Sequence, residues 1–148
     1  TSALELWLSP AIRNITLTGF QVSLDLSEVP AATVSPETLC YAAFEQGSIN
    51  LTDSAAVNVR CVADTGSFRW WNQTCRSHTL TDPFASVPLV VGTVNSRDSA
   101  DGGWARQKCA STGDAVSFVI DEDTSLDSER GHGRERIGFL ACERAFSN

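Results

Sequence analysis

Apolar and polar residues alternate along much of this chain with a period of two. Phe20, Val22, Leu24 and Leu26 alternate with Gln21, Ser23 and Asp25. Val57, Val59 and Cys61 alternate with Asn58 and Arg60, and Val116, Phe118 and Ile120 occupy every second position of a third run. Successive strand side chains point to opposite faces, so each run predicts a strand with one buried face. Further strands are expected over 3–8, 12–17, 39–45, 67–72, 87–94, 104–110 and 136–143. Turn-forming residues separate them: Thr18-Gly19, Gly47-Ser48, Thr65-Gly66, Asp101-Gly102-Gly103, Thr112-Gly113 and Gly131-His132-Gly133. No segment has a helical period. Many short strands at this spacing predict an all-β protein, an antiparallel β-sandwich.

The pattern also repeats. Ile15 to Leu24 reads as strand, Thr-Gly turn and strand, and Cys109 to Phe118 reads the same way. Farther along, Tyr41-Ala42-Ala43-Phe44-Glu45 corresponds to Phe139-Leu140-Ala141-Cys142-Glu143, with a short insertion between the two correspondences. Segments 56–62 and 87–94 precede the second copy, whereas only Ala3 to Leu8 precedes the first. The sequence thus predicts a partial β module over 1–50 and a complete one over 51–148.

Several residues of the second copy carry a family resemblance. They are Val87-Pro88-Leu89-Val90-Val91-Gly92-Thr93-Val94, Ser111-Thr112-Gly113, Val116-Ser117-Phe118-Val119 and Ile137-Gly138-Phe139-Leu140-Ala141. This portion resembles an H-type lectin module, over about 85–146 and in part over 12–46. The resemblance implies a six-stranded antiparallel sandwich, trimer formation and binding of N-acetylgalactosamine. Two departures weaken the sugar site: Asp114 stands where such modules carry Phe, and Asp121 to Asp127 contains no aromatic residue. The chain as a whole also resembles the subunits of glycosylated extracellular fibrils.

Composition narrows the setting. The chain has 148 residues, is 42% hydrophobic and 20% charged, and carries a net charge of −7. It is long enough for a substantial core, and its acidity argues against a nucleic-acid partner. No apolar run reaches the roughly 20 residues of a membrane-spanning helix, so no membrane insertion is expected. Three N-glycosylation sequons begin at Asn14, Asn50 and Asn72. They predict a secreted or cell-surface, extracellular glycoprotein bearing covalent N-glycans. In that oxidising setting the five cysteines predict disulfides. Cys61 with Cys75, bracketing a turn at Gly66, and Cys109 with Cys142 are the expected pairs, leaving Cys40 odd.

Catalytic signals are absent. His78 and His132 sit in no acid/base or metal-ligand pattern, and His132, between two glycines, is expected at a mobile loop tip. There is no nucleophile elbow, P-loop or H-E-x-x-H, so no catalytic residue, resident metal or cofactor is expected. The acidic stretch of Asp121, Glu122, Asp123, Asp127 and Glu129 offers oxygens to Ca²⁺. It lacks EF-hand spacing, however, and Arg130, Arg134 and Arg136 lie close, so a solvated acidic loop is expected. Trp70 and Trp71 are adjacent on one expected strand, so one faces out, either to stack on a sugar or to shield an edge. Trp104 and His132 complete the possible sugar contacts.

The N-terminal segment has Leu4, Leu6 and Leu8 on one face, with Glu5 and Trp7 on the other. It either completes a sheet in its own chain or adds to the sheet of a neighbour. The leading expectation is a structural subunit that assembles with copies of itself by strand addition, into a filament or surface coat. A carbohydrate-binding module is the alternative, and a secreted hydrolase the third reading.

Overall fold

A computed structural model describes residues 9–25, 36–69, 75–99, 102–122, 124, 128 and 130–145. Its strands are β1 (Ser9–Thr16), β2 (Gly19–Asp25), β3 (Gly47–Thr52), β4 (Asn58–Phe68), β5 (Arg76–Thr79), β6 (Leu89–Val94), β7 (Gly103–Arg106), β8 (Ala115–Glu122) and β9 (Glu135–Cys142). Every ladder is antiparallel. Among the described residues there is no helix, and so none long and apolar enough to cross a membrane.

The strands form a β1-β2 hairpin, a four-stranded sheet in the order β3-β4-β9-β6, and a three-stranded sheet in the order β5-β8-β7. The two larger sheets face each other across the main core. Val62 and Phe68 of β4, Val116, Phe118 and Ile120 of β8, and Ile137, Phe139 and Ala141 of β9 meet there. Phe118 stands edge-on to Phe68 at 5.4 Å and lies 6.1 Å from Phe139. Burying so many large side chains supplies the main folding drive, at about 25 cal/mol per Å² of apolar surface. The result is an all-β, antiparallel, sandwich-like fold.

Leu80 and Phe84 close one end of the core. Their amides donate to the carbonyls of Asp114 and Gly113, each at 2.8 Å. A Cβ on Gly113 would collide with the backbone carbonyl oxygen of Phe84. The Thr112-Gly113 turn therefore carries glycine for close backbone approach.

The four-stranded sheet is apolar on its other face as well. Val59, Cys61 and Ala63 of β4 and Leu140 and Cys142 of β9 form a second buried cluster, with Ile49 and Leu51 of β3 packed against it. That second cluster explains why β4 reads as a nearly continuous buried run rather than a strict alternation.

Both expected disulfide pairs are corrected. The bonds join Cys61 to Cys142 and Cys75 to Cys109, and Cys40 is free and exposed. The expected pairing relied on a turn at Gly66, but β4 runs straight through that residue. Gly66 is there because Phe68 and His78 crowd the position a Cβ would take. The straight strand carries Cys61 away from Cys75 and sets it opposite Cys142 in the β4-β9 ladder, with Cα atoms 4.1 Å apart.

Other boundaries shift too. β3 covers the boundary expected at residue 50 and pairs with β4 along its length, so residues 47–52 join the larger sheet. Residues 39–45, expected as a strand, have no ladder among the described residues and are exposed, Tyr41 and Phe44 included. The proposed counterpart of β9 in the first repeat is thus irregular. β5 has no counterpart in the sequence pattern, because its four residues are too few to show a period.

Candidate functional site

Two features stand out: an open sheet edge and a buried ionic cluster. The edge is β6, the outermost strand of the larger sheet. Val90 and Val94 turn inward onto the core, and Gly92 sits against Phe118 and Ile137, where a Cβ would not fit. Leu89 and Val91 turn outward and are 56% and 67% exposed, with Val87 just before them at 60%. Beside them lies an open groove of about 790 Å³, lined by residues 87–91, the 107–111 loop, Leu140 and Cys142. Among the described residues β6 ladders only with β9, and β7 and β1 lie near it without a ladder. Sheet edges are ordinarily protected by charge, proline or a bulge. This one presents aliphatic side chains instead.

The ionic cluster sits in the opposite kind of environment. Glu122 continues the inward face of β8 after Val116, Phe118 and Ile120. Glu135 opens the inward face of β9 before Ile137, Phe139 and Ala141. Both carboxylates are therefore carried into the interior by strand parity. His132, only 2% exposed, lies between them, with Nε2 3.3 Å from Glu135 Oε1 and Nδ1 3.5 Å from Glu122 Oε1.

Glu135 also accepts the Ser96 hydroxyl and the backbone amides of Asp98 and Ser99, at 2.9 and 2.8 Å to Oε1. Ser96 Oγ in turn accepts the Arg136 amide at 2.8 Å. One carboxylate thus ties the 96–99 loop to β9. Burial pushes the Glu135 carboxyl up, but His132, Ser96 and the two amides outweigh it and hold the group down at about 2. Burial likewise pulls His132 down, and the two glutamates outweigh it and raise the imidazole above its ordinary value.

This geometry corrects the reading of His132 as a mobile loop tip and as a sugar contact. Its ring is enclosed, with a Gly103 Cβ position only 3.3 Å from Cε1, and it does not reach a surface ligand. Of the two flanking glycines, Gly133 serves close packing, since a Cβ there would lie 3.3 Å from Ser99 Cβ. The solvated acidic loop is corrected in part: Asp121 and Glu122 are buried strand residues. Arg130 and Arg106 pair with Asp121, the second at 3.6 Å. Among the described residues no group of three His, Cys, Asp or Glu side chains is arranged to hold a metal ion.

The remaining expected sites fall as follows. Asn14 and Asn50 are exposed, Asn14 at the bulge of the hairpin with φ 52° and Asn50 on β3. Trp104 is half-buried, with the Arg106 guanidinium 5.6 Å from its ring centre. His78 is bonded to Asp64 at 2.9 Å and stacks edge-on to Phe139, a core-edge role. Asn72, Trp70, Trp71, Asp123, Asp127 and Glu129, with the strand residues Leu4, Leu6, Trp7 and Leu8, lie outside the described residues.

Fold and linkage together define a class: an all-β, disulfide-linked, sandwich-like protein. Within that class the chain matches no family model, no curated protein and no solved structure.

Proposed function

We propose that this chain is an extracellular, N-glycosylated structural subunit that assembles with copies of itself by β-strand addition, into a filament or surface coat. The observation that carries the reading is the open, aliphatic edge of β6 beside its groove. The occupant is residues 3–8 of a second copy. That segment has six residues, and β6 has six. Its Leu4, Leu6 and Leu8 repeat at the same period as the outward Leu89 and Val91. In sequence, residues 3–8 directly precede β1, and exchange of such a segment between identical copies is a low-cost route to assembly.

The glycan sites support one direction of growth. Asn50 lies on β3, the opposite edge of the same sheet from β6. A bulky sugar there discourages strand pairing at β3 and leaves β6 as the acceptor. One donor and one acceptor make a head-to-tail contact, which extends into a filament unless its rotation closes a ring. The two disulfides fit an oxidising, extracellular compartment.

Electron microscopy and light scattering of the glycosylated protein test this. The full chain is expected as polymers and a chain lacking residues 1–8 as a soluble monomer. A full-length chain that stays monomeric at high concentration, or a truncated chain that still polymerises, overturns the reading.

A further inference from the structure

Three arginines from three parts of the chain come together at one end of the sandwich. Arg69 follows Phe68, the last residue of β4, and Arg134 precedes Glu135, the first residue of β9. Phe68 and Glu135 are ladder partners, so the continued register sets Arg69 opposite Arg134. Arg76 opens β5 opposite Phe118 of β8, and the amide of Ile120, two residues along β8, donates to the Arg69 carbonyl at 2.9 Å. That bond ties the end of β4 to the three-stranded sheet and brings Arg76 within reach of Arg69.

Like charges set opposite each other across a ladder are destabilising. Arg76 and Arg134 are exposed and Arg69 is half-buried. Among the described residues no carboxylate pairs with any of the three, although the chain carries 18 acidic residues against 11 basic ones. The other clustered arginines behave differently: Arg106 and Arg130 share Asp121, Arg60 has Asp82, and Arg144 has Asp53. The fields of Arg76, first, and Arg134 hold the Arg69 guanidinium below its ordinary range. Among the described residues the fold thus gathers uncompensated positive charge at one place on an otherwise acidic molecule.

We propose that Arg69, Arg76 and Arg134 form a surface site for a tetrahedral oxyanion, the sulfate or phosphate group of a free ion or of a saccharide ester. Planar guanidinium groups offer paired N–H donors that suit such oxygens, and three of them match a group with several acceptors. The ligand supplies the counter-charge that the described residues do not. Because the molecule as a whole is acidic, binding is local to this patch and weakens steeply with added salt.

The test compares wild type with R69A/R134A at constant ionic strength. Sodium chloride is replaced in turn by sodium sulfate, sodium phosphate, a sulfated disaccharide and its desulfated form. Sulfate also stabilises proteins generally by exclusion from their surfaces, so the difference between the two proteins is the signal. In chloride the variant is expected to melt at or above wild type, because repulsion has been removed. With sulfate or phosphate, wild type is expected to gain several degrees more than the variant, and the Arg69 and Arg134 Nε–Hε NMR signals to shift. Disaccharide binding at least tenfold tighter than the free ion, lost on desulfation, identifies the ester as the ligand, and equal affinity identifies the ion. Equal gains in wild type and variant, with unmoved Nε–Hε signals, overturn the proposal.

Discussion

His132 and Glu135 form a buried pair, with Nε2 3.3 Å from Oε1 and both side chains enclosed. Glu135 also accepts from Ser96, Asp98 and Ser99, so this pair adds to the bonds that Arg136 makes with Asn95 and Ser96 in holding the 96–99 loop on β9. Removing either partner takes the nearest opposite charge from a buried group, leaving Glu135 only its Ser96, Asp98 and Ser99 donors and His132 only its longer contact to Glu122. H132A and E135Q are each expected to lose about 3–5 kcal/mol of stability, measured by urea unfolding at pH 6.

The same pair sets a pH window. The His132 imidazole is raised in the folded state, so its contribution is complete below its ordinary value of 6.5 and fades as pH climbs through the folded value. The Glu135 carboxyl is lowered, so its contribution is complete above its ordinary 4.5 and fades as pH falls toward about 2. Both are fully present between 4.5 and 6.5. Wild type is expected to show its highest urea midpoint in that window, with a decline on the alkaline side that H132A lacks. A flat wild-type profile from pH 5 to pH 9 would count against the pair.

The disulfide pairing is checked directly by peptide mapping without reduction. Cys61 is expected in a fragment linked to Cys142, and Cys75 in one linked to Cys109. The chain-entropy argument ranks them by loop size. With the cysteines 81 positions apart against 34, losing the first bond is expected to cost about 4–5 kcal/mol and losing the second about 3–4. Unfolding of C61A/C142A and C75A/C109A measures both.

Val91 separates assembly from folding. Its side chain is 67% exposed on the outward face of β6, so V91K is expected to change stability by less than about 0.5 kcal/mol. The new ammonium group lies where the incoming strand would dock, and light scattering is expected to show loss of polymers. Polymers that persist in V91K place the contact elsewhere.

Two glycines test backbone approach. G113A forces a Cβ into the Phe84 carbonyl and is expected to cost about 1–3 kcal/mol. Gly19, at the start of β2, has nothing within 4 Å of a Cβ, so G19A is expected to be neutral or slightly stabilising. Thermal unfolding of the two variants gives the comparison.

The inward parity of Glu122 and Glu135 was visible in the sequence, since each shares the alternation of its apolar strand. His132 was not legible as their partner, because its flanking glycines give it the pattern of a loop residue and nothing local records the two strands that enclose it. Gly66 misled in a similar way. A glycine at a turn and a glycine under a phenylalanine ring look alike until the neighbours across the core are known.

Alternation alone determined the all-β class and most of the strands, because a period of two needs only local geometry and one buried face. The oxidised state of four cysteines and the exposure of Asn14 and Asn50 agree with what their residue types suggested. Which cysteines join, which strands form the edges of the larger sheet, and where three arginines gather were decided by tertiary structure alone. Strand order and register bring together residues tens of positions apart, and no local pattern records which strands become neighbours.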